Sequence, residues 1–234
     1  GSEHHSRYAR HTKAKNALTV DGGLGQALDE TTARKTVAQT MAAPAQLLGF
    51  RVDGDRAGAS ADLTAAYRTV RWDVPQTALL DRYQRSVAYD KARRMAFVLD
   101  SASSSATPRT YELNFHSVGA WTPTSDGGLR TANAAAQVCL NVVTRDGAVL
   151  ARRQSSQFLD LDGVEVLPTR SYRAHEHLTL SSASAVTTFD ALTVVREDCS
   201  ETLPSVTWAA DGASVRVRYA NGSSFALGAA GFQP

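Results

Sequence analysis

Histidine, tyrosine and arginine crowd the start of the chain: His4, His5, Tyr8, Arg10 and His11 fall within residues 4–11, a density found nowhere else in it. These side chains supply proton-transfer and carboxylate-pairing chemistry, so the cluster reads either as the polar edge of a site or as a flexible, tag-like terminus. A second group is Arg173-Ala174-His175-Glu176-His177, whose two histidines stand two apart and project from one face of a strand, as zinc ligands often do. Two ligands are not a site, and no third has comparable spacing, so a solvated strand face is the expectation there. A third group is Tyr111-Glu112-Leu113-Asn114-Phe115-His116. It alternates, with Tyr111, Leu113 and Phe115 toward a core and Glu112, Asn114 and His116 together on the other face. That face is wet, or it binds a sugar or moves protons. No Gly-x-Ser-x-Gly elbow, phosphate loop, dinucleotide fingerprint or His-Glu-x-x-His helix occurs, so hydrolase triads, nucleotide chemistry and zincin chemistry lose support.

The elements that must carry these groups are marked by turns. Asp-Gly stands at 21–22, 53–54, 126–127, 146–147, 162–163 and 211–212, and Asn-Gly at 221–222; such dipeptides suit hairpins whose two turn residues both take positive φ. Between them lie alternating or β-branched runs: Leu18 to Val20, Tyr83 to Tyr89, Met95 to Leu99, Tyr111 to Phe115, Val138 to Thr144, His177 to Leu180, Leu192 to Val195 and Val215 to Tyr219. Asp90 to Arg93 and Ala209 to Gly212 each join two strands. The pattern predicts an all-β fold, a meander-rich antiparallel β-sandwich with little helix, as a single domain over 1–234. Gln26 to Ala43, rich in Ala, Thr and Gln, resists the strand reading and stays open to helix by propensity. Loops are expected at Ser101 to Pro108 and Pro123 to Gly128.

Composition narrows the class. With 234 residues, 43% hydrophobic, 21% charged and a net charge of +2, the chain is an ordinary globular protein with no nucleic-acid footprint. Of its 25 basic residues only Lys13, Lys15, Lys35 and Lys91 are lysines, and the arginines that remain suit anionic ligands, although a compositional bias explains them equally well. Cys139 and Cys199 allow one disulfide or two buried thiols, which leaves the compartment open. No stretch has the length of an apolar membrane span, and no membrane partner is expected. Trp72, Trp121 and Trp208 are candidate sugar platforms, with core burial the expected fate of each.

One block is more specific. Ser2-Glu3-His4-His5, then Thr12-Lys13-Ala14-Lys15-Asn16-Ala17-Leu18-Thr19-Val20-Asp21-Gly22, then Gly25-Gln26, resembles the segment that opens the C-terminal half of heparinase II/III-like polysaccharide lyases. Downstream, Arg85 to Tyr89 followed by Ala96 to Asp100 resembles that family's two strands ending in an acidic residue. Tyr111 to Ser117, Glu176 to Ser181 and Leu192 to Val195 resemble its later strands. The resemblance spans nearly the whole chain, with the first block specific and the later ones weak alone.

That resemblance implies an α/α toroid followed by antiparallel sandwich layers, with an anionic polysaccharide, alginate or glycosaminoglycan-like, held between them. Such bacterial, secreted or periplasmic enzymes cleave at uronic acid by β-elimination, for which a base, an acid and a carboxylate neutraliser are needed. The family's catalytic Tyr and His come from segments this sequence lacks. The chain is therefore expected to be the sandwich portion, inactive by itself, with the N-terminal toroid as its partner. Carried over as substrate-binding residues at the cleft edge are His4, His5, Tyr8 and Arg10, with no catalytic residue assigned. No cofactor is expected. No metal is expected either, because Lys15 stands where relatives place a metal-binding His. The competing reading is a free-standing carbohydrate-binding module, and an exposed apolar face suited to a toroid would favour the lyase portion over it.

Overall fold

The computed structural model describes residues 2–26, 45–68, 77–134, 136–169, 171–172, 175–210, 212 and 214–233. The helix-prone stretch from Gln26 to Ala43 lies, apart from Gln26, outside them, as does Trp72. Among the described residues, sixteen strands, numbered in chain order, form three antiparallel sheets stacked as layers. The outer sheet runs β1 (Leu18–Val20), β6 (Tyr111–Ser117), β11 (Glu176–Ser181), β10 (Ala151–Ser155). The middle sheet runs β2 (Gln46–Asp53), β3 (Arg56–Asp62), β4 (Arg82–Asp90), β5 (Met95–Ser103), β12 (Thr188–Glu197), β9 (Gln137–Thr144), β8 (Leu129–Ala132), β7 (Thr122–Pro123). The C-terminal sheet is a meander of β13 (Ser205–Trp208), β14 (Ser214–Arg218), β15 (Ser224–Gly228) and β16 (Gly231–Gln233).

Their place in the middle layer explains why β5 and β12 are buried along most of their length. Alternate side chains leave opposite faces of a strand, and here both faces are covered. Phe97, Leu99, Leu192 and Val194 enter one core with Val215, Val217, Phe225 and Phe232 of the C-terminal sheet. Ala102, Phe189 and Ala191 enter the other with Leu18, Tyr111, Leu113 and Leu178 of the outer sheet. Tyr111 stacks on Phe189 across that interface at 5.2 Å between ring centroids. At full burial each large side chain contributes about 1.5–3 kcal/mol, so these two interfaces dominate the stability.

Every run expected to be a strand falls in one, except that Tyr219 lies one residue past β14; the loop expected from Ser101 starts later, because β5 continues through Ser103. The turn argument needs correction, however. The glycine of each Asp-Gly or Asn-Gly pair has positive φ, but among the described Asp and Asn partners only Asp21 does, at 50°. At 127, 147, 163, 212 and 222 the glycine N–H returns to the carbonyl three residues earlier. That is a type I turn closed by a left-handed glycine, and it leaves the preceding residue unstrained. The β2–β3 hairpin was marked by Asp53-Gly54 but not by its strands. β2 lies on a sheet edge with almost every residue exposed, and β3 is built of small residues, so neither alternates.

A buried ion pair ties neighbouring strands β4 and β5 together. Asp100, 1% exposed, accepts from Arg85 Nε at 2.7 Å, Arg85 Nη2 at 3.0 Å and the Tyr83 hydroxyl at 2.7 Å. Arg85 Nη1 also donates to the Asn16 carbonyl at 3.0 Å, which ties the N-terminal segment to the middle sheet. Cys139 on β9 and Cys199 after β12 form a disulfide, which closes the alternative of two free thiols.

Candidate functional site

The N-terminal segment crosses the end of the outer sheet as a π-helical turn, His5–Ala9, and a 3-10 turn, Thr12–Ala14. What holds it there is the polar face of β6. Glu112 accepts from Thr19 Oγ1 at 2.7 Å and from the Gly22 amide at 2.9 Å. Asn114 Nδ2 donates to Thr19 Oγ1 at 2.8 Å and to the Ala17 carbonyl at 3.1 Å. The His116 amide donates to Asn16 Oδ1 at 2.8 Å, and its ring Nε2 donates to the Lys13 carbonyl at 2.9 Å. The trio is thus neither simply wet nor free for a ligand; it anchors the segment that precedes β1.

The histidine pair is not a solvated face. Register places His177 directly opposite His116, and their rings stack at 4.3 Å. His175 stacks on the same His116 ring at 5.2 Å. His177 Nε2 donates to Asn114 Oδ1 at 2.8 Å, the only role left to it because the Asn114 amide nitrogen already donates elsewhere. Burial lowers the pKa of His116 to about 4 and that of His177 to about 3, and burial lowers His175 as well. All three are neutral at pH 7. Their rings face one another instead of converging, and among the described residues no group of three or more His, Cys, Asp or Glu is placed to hold a metal ion. The Lys15 ammonium donates to the Ala9 carbonyl at 2.8 Å.

Of the four cleft-edge candidates, two are buried. His4, 7% exposed, hydrogen-bonds the Val166 carbonyl through Nδ1 at 2.7 Å and meets the Phe158 ring edge-on at 4.8 Å. Tyr8, 3% exposed, shares a 3.1 Å hydrogen bond with His175 Nε2. Burial raises the Tyr8 pKa, so at neutral pH it is a proton donor and not a base. His5 is exposed and Arg10 half-buried. Phe158 carries no sequence signal that would have placed it here; it joins the cluster through the loop after β10, where it also stacks on His175 at 4.4 Å.

Beside this cluster, over β6, β10 and β11, lies a polar pocket of about 410 Å³ whose wall includes Lys13, Asn114, Arg153, Gln157, His177 and Thr179. None of His4, His5, Tyr8 or Arg10 lines it. Its rim is the Asp160–Gly163 turn. Asp160 Oδ1 accepts from the Asp162 and Val164 amides at 3.0 and 2.8 Å, and Oδ2 pairs with Arg7. Burial alone would raise this carboxyl; the Val164 amide and Arg7 outweigh it and hold it below the usual range. Lys13 donates to the Asp160 carbonyl at 2.8 Å, and burial lowers its pKa. Arg153 projects from exposed β10 with no ion-pair partner among the described residues. Of the tryptophans, Trp121 is buried at 6% exposure, and Trp208 packs against the C-terminal core.

The sequence matches no protein-family profile and no curated protein. The fold does have solved counterparts. It is similar to a crystal structure of heparinase III with a TM-score of 0.58 at 15% identity, over 94% of this chain and 30% of that one. A second heparinase III structure gives 0.59 at 13% identity over 94% and 31%. A heparan sulfate lyase from Pedobacter heparinus gives 0.57 at 9% identity over 96% and 30%. The chain spans about 30% of the length of the solved structures it matches, and at these identities the likeness is one of fold. Its sheets are therefore arranged like a β-sandwich region of heparinase-type lyases.

Proposed function

We propose that this chain is the β-sandwich domain of a heparinase II/III-like polysaccharide lyase, working with an α/α toroid to cleave a uronic-acid-containing polysaccharide by β-elimination. The observation that carries the reading is the fold likeness over 94% of the chain, joined to the N-terminal block whose residues resemble that family. The domain's share of the work is binding. Arg153 and Lys13 supply cationic partners for a uronate carboxylate in the pocket over β6, β10 and β11, next to the carboxylates of Glu112, Asp160 and Asp162, while His5 and Arg10 stand outside that pocket. His4 and Tyr8 hold the N-terminal segment in place. The isolated chain is inactive, since Tyr8 keeps its proton and the stacked histidines are occupied.

A free-standing carbohydrate-binding module is the second reading, and an exposed apolar face favours the first. Register puts Phe50, Val52, Val87 and Tyr89 on one face of β2 to β4, exposed at 69%, 61%, 39% and 40%. Such a face suits a neighbouring domain. The disulfide fits an exported protein, and among the described residues no helix is long and apolar enough to cross a membrane.

The test is ultraviolet absorbance of the unsaturated uronate product over an alginate and glycosaminoglycan panel, paired with affinity electrophoresis. The chain alone is expected to give no product yet to be retarded by at least one uronate polymer, with Arg153→Ala abolishing the retardation. Product from the isolated chain would overturn the division of labour and put catalysis on His116, Tyr8 or His5. Retardation only by neutral glycans would favour the module.

A further inference from the structure

The outer sheet ends on β10, which has β11 on one side and, among the described residues, no strand on the other. Alternate residues of such an edge turn their N–H and C=O groups away from the sheet, where another chain can pair with them. Among the described residues, no backbone hydrogen bond outside the β11 ladder uses a group from Ala151 to Ser155. Unlike the exposed edge at β2, this one borders an apolar groove. The groove has a volume of about 390 Å³ and opens between β10 and β9, where the outer and middle sheets part. Leu140 and Val142 of β9 and Leu180 of β11 line it, with Leu129, Val149 and Leu150 beside them, and Val149 is 88% exposed. Among the described residues, Arg152 is the one charged side chain in its wall.

Register fixes which way the two arginines of β10 face. Arg152 stands opposite Leu180, a core residue, and faces inward with the groove; Arg153 stands opposite Thr179 on the outward face, in the wall of the polar pocket. Arg152 Nη2 donates to the Trp121 carbonyl and to Gln154 Oε1, the latter at 3.0 Å. Gln154 stands between this guanidinium and the Glu176 carboxylate, to which its Nε2 donates at 3.0 Å. The other guanidinium donors of Arg152 have no acceptor among the described residues, and it forms no ion pair with them. The inward side of this edge thus offers free main-chain groups, apolar side-chain room and one uncompensated positive charge.

We propose that the free edge of β10 takes up an extended peptide segment of a partner protein as an added strand, with apolar side chains entering the groove and a carboxylate between them pairing with Arg152. Main-chain bonds to the edge supply affinity, and the groove selects alternate side chains. The segment it fits reads apolar-x-acidic-x-apolar, because residues two apart share a face and the residue directly across from Arg152 meets its side chain. A second copy fits poorly: pairing β10 with itself brings Arg152 and Arg153 of both chains to one seam, with no acid on the strand to offset them. The groove lies on the opposite face of β10 from the proposed uronate pocket, and the site stands whether or not the lyase reading holds.

The experiment is an ¹⁵N–¹H NMR titration of the full chain with the peptide acetyl-Thr-Val-Thr-Glu-Thr-Val-Thr-amide, read at the backbone amides of β10. The controls are the same peptide with Lys in place of Glu, and two forms N-methylated at alternate residues, which remove the main-chain donors of one side or of the other. The β10 amides are expected to shift saturably, and the Lys peptide to bind at least about tenfold more weakly. One N-methylated form should lose at least about tenfold in affinity while the other does not. Arg152→Glu should reverse the preference for Glu over Lys. Val149→Asp, at the exposed mouth, should weaken the Glu peptide at least about threefold and leave the fold intact. No saturable shift in β10, equal binding of the Glu and Lys peptides, equal loss in both N-methylated forms, or unchanged affinity in Val149→Asp would overturn the proposal. Shifts of β10 that grow with protein concentration in the absence of peptide would overturn it in favour of a second copy. Val149→Asp and the peptide controls decide even if Arg152→Glu fails to fold.

Discussion

Replacing Asp100 by Asn tests how far the fold depends on its buried ion pair. The carboxylate receives two guanidinium N–H groups and the Tyr83 hydroxyl, while Tyr83 is fully buried and Arg85 keeps 20% of its side chain exposed. Asn keeps one acceptor, loses the charge and turns its own N–H₂ toward the guanidinium. Removing one partner of a buried pair costs about 3–5 kcal/mol, and the partial exposure of Arg85 points to the lower end, about 3 kcal/mol. Against a total stability of about 5–15 kcal/mol that is a large fraction. For a chain of this size it lowers Tm by about 6–12 °C. The assay is urea unfolding followed by tryptophan fluorescence and circular dichroism, with coincident transitions and an unchanged m-value as the check that only stability has moved. A triple replacement, Tyr83→Phe, Arg85→Met and Asp100→Leu, removes the charge and leaves no orphaned hydroxyl, and should recover to within about 1 kcal/mol of the parent. A loss below about 1 kcal/mol in Asp100→Asn would refute the reasoning, because the pair would then be solvated and not buried.

Two further outcomes follow from the same kind of accounting. His116 and His177 have folded pKa values of about 4 and about 3, below the usual 6.5, so between these limits the unfolded chain binds more protons than the folded one. Stability should therefore fall as pH drops from about 6.5, by about 1.4 kcal/mol per pH unit for each histidine within its window, and level off below its folded pKa. Urea midpoints from pH 7 to pH 4 check this, and a flat profile, or one unchanged by His177→Gln, would contradict it. Reduction of Cys139–Cys199 frees a loop spanning 60 residues. The chain-entropy relation assigns such a bridge about 4 kcal/mol, so Tm measured with and without dithiothreitol should drop clearly. An unchanged Tm would mean the loop is already constrained in the unfolded chain.

Local pattern was enough for much of this protein. Alternation in Tyr111 to His116 and the β-branched run Leu192 to Val195 mark strands, since each residue carries its own steric and solvation preference. The glycines after Asp or Asn mark turns because only glycine takes the left-handed conformation freely, even where the turn type differs from the one expected. The resemblance of the first block placed the chain near the heparinase sandwich, and the fold agrees. What pattern could not give is anything set by residues distant in sequence. The partner of His116 is His177, 61 positions away, and a solvated face became a buried ring stack only because β6 and β11 pair. Edge strand β2 does not alternate because nearly all of its residues are exposed. Phe158, Asp160 and Arg153, which flank or line the polar pocket, sit in loops and on an exposed strand where neither periodicity nor spacing distinguishes them. Sequence by itself determined the all-β class, the turn positions and the amphipathic faces, since these depend on steric and solvation preferences of neighbouring residues. Which polar groups are spent on holding the N-terminal segment and which line the polar pocket was settled only by the tertiary structure, since burial and hydrogen-bond pairing exist only once the layers are stacked.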